Sequence, residues 1–204
     1  MTVQIRPAAL DDLSLICRLR QQRALWLAAR GSDQWSTEAS GLSLDYFAHV
    51  VDRAVTAGET WIAEMNGEPA GTITINDQAD NELWTEAELA DALIVHYLIV
   101  DLRYAGEGIG RRLLAHAAAL ARTRGRHWVR LDAWTGNADL HAYYRRAGFR
   151  LVRVAVPDRP SPSCALFERH VNGWLRDEGL VGSRPETFPI SAQAHYPIGL
   201  PVLG

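Results

Sequence analysis

The segment AGEGIGRRLL, residues 105–114, constrains the fold more than any other part of the chain. It follows an apolar run, residues 93–100, which only His96 interrupts and which predicts a central strand buried on both faces. It opens an Ala- and Leu-rich segment, residues 108–124, whose apolar positions recur at helical spacing up to Gly125. A buried strand joined to a helix by alternating glycines predicts an α/β fold.

The three glycines of this loop predict an anion site. Gly106, Gly108 and Gly110 allow unusual backbone angles and the close approach of another group. Unpaired N–H groups at a helix start, together with the helix dipole, attract an anion such as a pyrophosphate. Arg111 and Arg112 add positive charge at the same end. A strand-to-helix turn without a ligand would need only one glycine, so the pattern favours a phosphate-bearing ligand.

The spacing excludes two common nucleotide-binding loops. A Rossmann loop needs a third glycine where this chain has Arg111 or Leu113. A Walker loop needs a lysine, and all 21 basic residues counted as Lys or Arg are Arg. The ligand is therefore expected to belong to another class.

Turn and capping residues place the remaining elements. Asp11 or Asp12 and Ser43 predict the starts of two helices, and Asn66-Gly67 predicts a β-hairpin. Asn137 predicts the cap of a short helix that Gly148 ends, before two final strands. The predicted order is β-α-α-β-β-β-α-β-α-β-β, with residues 1–172 as one domain and residues 173–204 as an irregular extension rich in Pro and aromatic residues.

Composition narrows the function. The net charge of -3 and the pI of 6.2 argue against a nucleic-acid partner. No apolar stretch resembles a signal peptide or spans a bilayer, so we expect a cytoplasmic protein without a membrane partner. Two Cys, Cys17 and Cys164, are too few for a disulfide framework or a four-Cys zinc site, and we expect no metal.

Two motifs resemble those of the GNAT-type N-acetyltransferases. Residues 98–114, LIVDLRYAGEGIGRRLL, are similar to the family's acetyl-CoA-binding motif, with Gly108 and Gly110 at its two small positions and Ala105 where Arg or Gln is usual. Residues 131–149 resemble its second motif, with Asn137 at the Asn position and Tyr144 four residues before Gly148-Phe149. The resemblance covers roughly residues 1–170.

The resemblance implies a mixed, mostly antiparallel central sheet with flanking helices. It implies transfer of an acetyl or other acyl group from acetyl-CoA to an amine, by direct attack in a ternary complex. The strand around Ile99 is implied to pair with the pantetheine arm, and its N–H groups to polarise the thioester carbonyl. The implied acetyl-CoA-binding residues are Leu98, Ile99, Val100, Ala105, Gly106, Glu107, Gly108, Ile109, Gly110, Arg111 and Asn137.

The same resemblance suggests two catalytic residues. Tyr144 is the implied general acid, because a phenol with a pKa of about 10 can protonate a thiolate; a half-buried packing tyrosine is the alternative. His96 is the candidate general base: strand alternation predicts that it shares a face with Leu98 and Val100, and the unperturbed pKa of about 6.5 of a histidine side chain suits proton abstraction. A hydrogen-bonded core histidine is the alternative. Glu86, Glu88 and Asp91, acting through water, are rival bases.

An acidic group flanked by aromatic rings suits a cationic amine, although each such residue is more often a packing or capping residue. The candidate acceptor-pocket residues are Asp33, Trp35, Trp84, Asp132 and Trp134. We expect a small-molecule amine as acceptor and consider a second copy of the chain as a candidate partner. The alternative function is a non-catalytic acyl-CoA sensor of the same fold.

Overall fold

The computed structural model describes residues 2–36, 43–158 and 161–174. Seven strands alternate with five α-helices in this part of the chain. In chain order they are β1 (Val3–Pro7), α1 (Leu13–Ala28), α2 (Leu44–Thr56), β2 (Thr60–Met65), β3 (Glu68–Asn76), α3 (Glu86–Ala90), β4 (Ala92–Val100), α4 (Ile109–Thr123), β5 (Trp128–Ala133), α5 (Ala138–Arg146), β6 (Arg150–Val154) and β7 (Ala165–His170). The predicted mixed α/β class is confirmed, with α3 as the helical turn between β3 and β4.

Local signals explain several boundaries. The Ser43 hydroxyl accepts a hydrogen bond from the N–H of Tyr46 and caps α2. Asn66 and Gly67 have φ values of 53° and 86°, as a tight turn between β2 and β3 requires. The Asn137 side chain accepts from the N–H of Leu140 and caps α5. These predicted turns and caps are confirmed because each depends on residues close together in sequence.

The sheet has the strand order β1-β2-β3-β4-β5-β7-β6. All neighbours are antiparallel except β4 and β5, which α4 connects as parallel strands. The parallel pairing runs only from Ala92 opposite Trp128 to Ile94 opposite Arg130. β4 then continues to Val100 and β5 to Ala133 without further pairing between them, so the two strands part in the middle of the sheet.

Helices cover both faces of the sheet. The apolar side of α4, including Leu113 and Ala117, packs on β3, β4 and β5 in the largest cluster of buried residues. On the opposite face α1 and α2 place Ile16 and Phe47 against the sheet. Burial of a Leu, Ile or Phe side chain contributes about 1.5–3 kcal/mol, so this packing holds the helices on the sheet. Trp174, two residues beyond the predicted boundary at residue 172, also lies in the first cluster.

β4 contains an irregularity that changes which residues share a face. Thr74 pairs with His96, but Thr72 pairs with Ile99, so β4 has one residue more than β3 between these pairs. Tyr97 accommodates it with a φ of 49°. The prediction that His96 shares a face with Leu98 and Val100 is wrong, because the bulge interrupts the strand alternation. Ile99 instead joins the α1–α2 cluster with Tyr97, whereas Leu98 and Val100 pack towards α4.

None of the helices in the described part of the chain is long and apolar enough to cross a membrane.

Candidate active site

The start of α4 lies against the end of β4, where a Cβ atom on Gly110 would come within 3.6 Å of the Val100 side chain. Gly108, with a φ of 72°, is the N-cap residue of α4, and Gly106 has a φ of 89°. The N–H of Arg112 donates to the carbonyl of Gly108, and the amides of Gly108, Ile109 and Gly110 precede the regular bonding of the helix. Ile109 is 1% exposed and anchors the first turn in the core. This arrangement presents main-chain N–H groups to an anion.

The rest of the predicted loop lies around this helix start. Ala105, Glu107 and Arg111 are exposed, while Gly110 is buried. A Cβ atom on Gly110 would collide with the hydroxyl of Tyr143 from α5. Glycine at this position therefore lets α5 approach the loop.

The second half of β4 borders the place where β4 and β5 part. Ile99 and Val100 pair with Thr72 and Gly71 of β3 on one edge, and the edge towards β5 is not paired with that strand. The carbonyl of Val100 accepts a hydrogen bond of 2.7 Å from the Arg23 guanidinium of α1. This part of β4 is therefore hydrogen-bonded to β3 on one edge and has no pairing with β5 on the other.

Four titratable side chains of β4, β5 and α5 affect one another electrostatically. Asp132 on β5 interacts electrostatically with His96 and Tyr97 of β4 and with Tyr144 of α5. Burial raises the pKa of Asp132, and the nearby His96 opposes this increase. Burial also raises the pKa of Tyr97 and of Tyr144, and the charge of Asp132 adds to both shifts. Both phenols therefore keep their protons at neutral pH.

His96 is half-buried, and its Nε2 atom lies 3.1 Å from Asn76 Oδ1 and 2.9 Å from the carbonyl of Gln78. The alternative of a hydrogen-bonded histidine is thus correct for this nitrogen, and it leaves Nδ1 available. Sequence analysis missed both partners, because polar residues at a strand end give no pattern that marks them as neighbours of a particular histidine.

The rival bases lie in other surroundings. Both carboxylate oxygens of Glu88 bind Arg153, which lowers the pKa of Glu88 to about 2. Asp91 bonds with His127 at 2.7 Å, and this contact lowers its pKa. Glu86 is exposed at the start of α3. His96 acts electrostatically on Asp132, whereas Glu88 and Asp91 are bound to Arg153 and His127.

Helix α5 supplies the residues of the second motif. Tyr144 is 7% exposed, and its ring packs on Phe149 and Phe167 with centroid distances of 5.8 and 5.7 Å. Asn137 caps α5 through Oδ1 and donates from Nδ2 to the buried Gln34 at 2.6 Å. Sequence analysis missed Gln34, which lies 103 positions from Asn137 and ties the loop after α1 to α5.

The predicted acceptor residues separate into two groups. Asp132 is the residue that interacts with His96, Tyr97 and Tyr144. Trp35 packs against the cluster that contains Ile16 and Phe47, and Trp134 at the end of β5 is 6% exposed. Asp33 is exposed on the loop after α1. Trp84 is fully buried in a separate cluster with Cys164 and Leu166, so it is a core residue and does not line an open pocket.

Comparisons with known proteins agree with this fold. The profile of the acetyltransferase (GNAT) family matches residues 21–149. The chain is 28% identical over 149 residues to the uncharacterized N-acetyltransferase YesJ of Bacillus subtilis, covering 72% of this chain and 81% of YesJ. A GNAT-family acetyltransferase from Listeria monocytogenes superposes with a TM-score of 0.65 at 24% identity, covering 82% of this chain and 94% of that one.

A second solved structure, PaiA N-acetyltransferase from Thermoplasma acidophilum in complex with coenzyme A, has a TM-score of 0.61 at 17% identity and covers 83% of this chain and 99% of PaiA. The family profile and the N-acetyltransferase relatives identify the chain as an acetyl-CoA-dependent N-acetyltransferase. The family profile covers more than half of the chain, and the protein belongs to the acetyltransferase (GNAT) family.

Proposed function

We propose that this enzyme acetylates the amine of a small molecule by direct attack within a ternary complex. The observation that carries the proposal is that His96 on β4 and Asp132 on β5 each lie two residues beyond the last pair of the parallel ladder, Ile94 and Arg130. Asp132 interacts electrostatically with His96 and with Tyr144 of α5. A base, a carboxylate and a phenol are groups that can serve amide formation from a thioester.

The donor is proposed to lie along the open edge of β4. The amides at the start of α4 would hold the phosphates of acetyl-CoA, as a helix N-terminus holds other anions. Main-chain N–H groups near Ile99 would stabilise the oxyanion that develops on the thioester carbonyl. The tight contact between Gly110 and Tyr143 supports this arrangement, because it leaves the loop fixed before the donor binds.

The reaction then needs three proton transfers. His96 takes a proton from the ammonium form of the acceptor, the neutral nitrogen attacks the thioester carbonyl, and the tetrahedral intermediate collapses by breaking the C–S bond. Tyr144 donates its proton to the departing thiolate, and the second proton lost by the amide nitrogen restores the phenol. Burial raises the pKa of Tyr144, but a thiolate formed in the same desolvated place is also more basic, so the transfer remains matched.

The surroundings favour a small cationic acceptor. Asp132 supplies a carboxylate beside the aromatic ring of Tyr97, an arrangement that suits an ammonium group. The bond between Gln34 and Asn137 holds the loop after α1 against α5 and narrows the acceptor side. A compact amine fits such an approach better than a folded protein surface.

The test is a screen of amines with acetyl-CoA, in which thiol release and product mass are measured. Polyamines, amino acids, arylalkylamines and peptides with a free N-terminus form the four arms. Turnover confined to small amines would support the proposal, and turnover confined to peptides would overturn the acceptor class. Binding of acetyl-CoA by calorimetry without turnover in any arm would indicate a sensor instead.

A further inference from the structure

We propose that Glu59 and Asn76 are positioning residues that fix the tautomer of His96, so that Nδ1 is the nitrogen that accepts the proton of the acceptor amine. The inference rests on the proposed role of His96 as general base. Neither residue belongs to the motifs that identify the family. Glu59 precedes β2, and Asn76 ends β3 beside the strand that carries His96.

The first step concerns Nε2 of His96. This nitrogen lies 2.9 Å from the main-chain carbonyl of Gln78, and a carbonyl oxygen can only accept a hydrogen bond. Nε2 must therefore carry the proton in the neutral ring. Asn76 Oδ1, at 3.1 Å, is a second acceptor for the same N–H group.

The second step concerns the orientation of Asn76. Its Nδ2 atom donates to Glu59 Oε2 at 3.0 Å, and a carboxylate oxygen can only accept. Its Oδ1 atom accepts from the main-chain N–H of Gln78 at 3.1 Å, and that group can only donate. Two independent partners thus turn the amide oxygen towards His96. Asn76 also holds Gln78, whose carbonyl is the other acceptor for Nε2.

The third step follows from the chemistry of imidazole. A neutral ring that carries its proton on Nε2 has its lone pair on Nδ1, and the hydrogen bond at one nitrogen sets the state of the other. The relay therefore keeps Nδ1 as the basic atom of His96. Once Nδ1 is protonated, the ring is a cation that still donates from Nε2 to both acceptors.

Charged groups act on His96 from more than one element. Asp132 interacts with His96 from β5, and Asp80, in the connection after β3, interacts with Asp132. Tyr97 lies beside the ring on the same strand, at a centroid distance of 6.1 Å. Glu59 acts on the ring through Asn76. Carboxylates therefore face His96 from β5 and, through the relay, from the β2–β3 side.

The test measures the tautomer directly by two-bond ¹H–¹⁵N correlation on the full chain labelled with ¹⁵N-histidine. The chain has seven His residues, and His96→Gln identifies the signals of His96 by their loss. We expect the wild-type ring to carry its proton on Nε2. In Asn76→Leu the other tautomer becomes populated and kcat/KM falls about tenfold, which is less than the 10²–10⁴ that loss of the general base itself would cost.

Two further variants separate positioning from folding. Asn76→Asp keeps an oxygen acceptor opposite Nε2 and is expected to retain the wild-type tautomer. Asn81→Leu, a control at an exposed position in the same connection, is expected to change neither tautomer nor rate. Thermal unfolding of each variant shows whether the fold is intact, and the KM for acetyl-CoA should stay unchanged.

The outcomes distinguish this inference from the function on which it rests. A wild-type His96 that carries its proton on Nδ1, or a wild-type tautomer in Asn76→Leu, would overturn the relay. Full activity of His96→Gln would overturn the general-base role, whatever the tautomer. If His96→Gln is inactive while Asn76→Leu is fully active, the base stands and the relay does not.

Discussion

The hydroxyl of Tyr143 occupies the space that a side chain on Gly110 would need. Gly110 lies in the first turn of α4, and Tyr143 lies on α5, next to Tyr144. The helix start that is proposed to bind the phosphates is therefore in direct contact with the helix that is proposed to supply the acid. A change at this contact should affect binding of acetyl-CoA before it affects the fold.

Gly110→Ala is expected to weaken acetyl-CoA binding about tenfold. The new methyl group must displace Tyr143 or the first turn of α4, and such overpacking costs about 1–3 kcal/mol. Calorimetric titration gives the Kd. Gly136→Ala is the matched control, because the structure leaves open space around that glycine. The double variant Gly110→Ala/Tyr143→Phe should recover part of the affinity, and an unchanged Kd in Gly110→Ala would contradict the contact.

Tyr144→Phe is expected to lower kcat about 100-fold, at the low end of what general acid catalysis contributes, and to leave the Kd for acetyl-CoA unchanged. The substitution keeps the ring that packs on Phe149 and Phe167, so the thermal midpoint should hardly change. Tyr143→Phe, one position earlier, serves as the comparison and should retain most of kcat. Equal losses in the two variants would argue against a specific acid role for Tyr144.

Asp132→Asn is expected to stabilise the protein at neutral pH while it lowers activity. Burial raises the folded-state pKa of Asp132, so the folded chain binds its proton more tightly than the unfolded chain does. Stability contributed by this group is therefore lost as the pH rises from about 3.9 through the folded-state pKa. Asparagine avoids this cost because it has no charge to desolvate.

Urea unfolding of Asp132→Asn at several pH values is the measurement. The free energy of unfolding of the variant should exceed that of the wild type by an amount that grows with pH across the range in which Asp132 ionises. The difference should vanish at low pH, where both proteins are uncharged at this position. Asp158→Asn, at an exposed position, should show no such trend. A gain that does not depend on pH would contradict the assignment to ionisation.

Glu88→Gln is expected to make the free energy of unfolding depend less on pH below pH 4.5. Arg153 lowers the pKa of Glu88 from 4.5 to about 2, so the stability from this pair is complete above pH 4.5 and is lost as the pH falls towards 2. Glutamine can still form the capping box with Thr85 but has no charge for Arg153.

The thermal midpoint of Glu88→Gln between pH 6 and pH 2 tests this prediction. At neutral pH the free energy of unfolding of the variant should be about 1 kcal/mol below that of the wild type, because the ion pair is partly exposed. This difference should shrink as the pH falls. Glu86→Gln, two residues away and exposed, is the control. Parallel profiles for wild type and Glu88→Gln would show that the ion pair contributes nothing.

Sequence alone predicts the element order of this protein well, because its caps and turns are local. Ser43, Asn66-Gly67 and Asn137 each act within a few residues of themselves. The placement of β7 between β5 and β6 depends on pairing between distant segments and was not predicted. Trp84 shows a similar limit: a tryptophan in an acidic segment suggested a pocket, whereas the structure packs it between the guanidinium groups of Arg130 and Arg153.

The candidate site was only partly predictable for the same reason. The loop at Gly108 and the residues Asn137 and Tyr144 lie in motifs with fixed spacing. Contacts such as that between His96 and Asn76 join positions that have no sequence relation. These contacts follow from strand register, and register depends on the whole sheet.

The bulge at Tyr97 shifts the alternation of side chains between the two faces of β4 by one residue. Residues before it and residues after it follow two separate alternations, so His96 and Ile99 can both face α1 and α2 while Leu98 and Val100 face α4. Deletion of a single residue here would merge the two alternations into one. Either His96 or the last three residues of the strand would then move to the opposite face of the sheet. The site therefore depends on the number of residues in β4 as well as on its side chains.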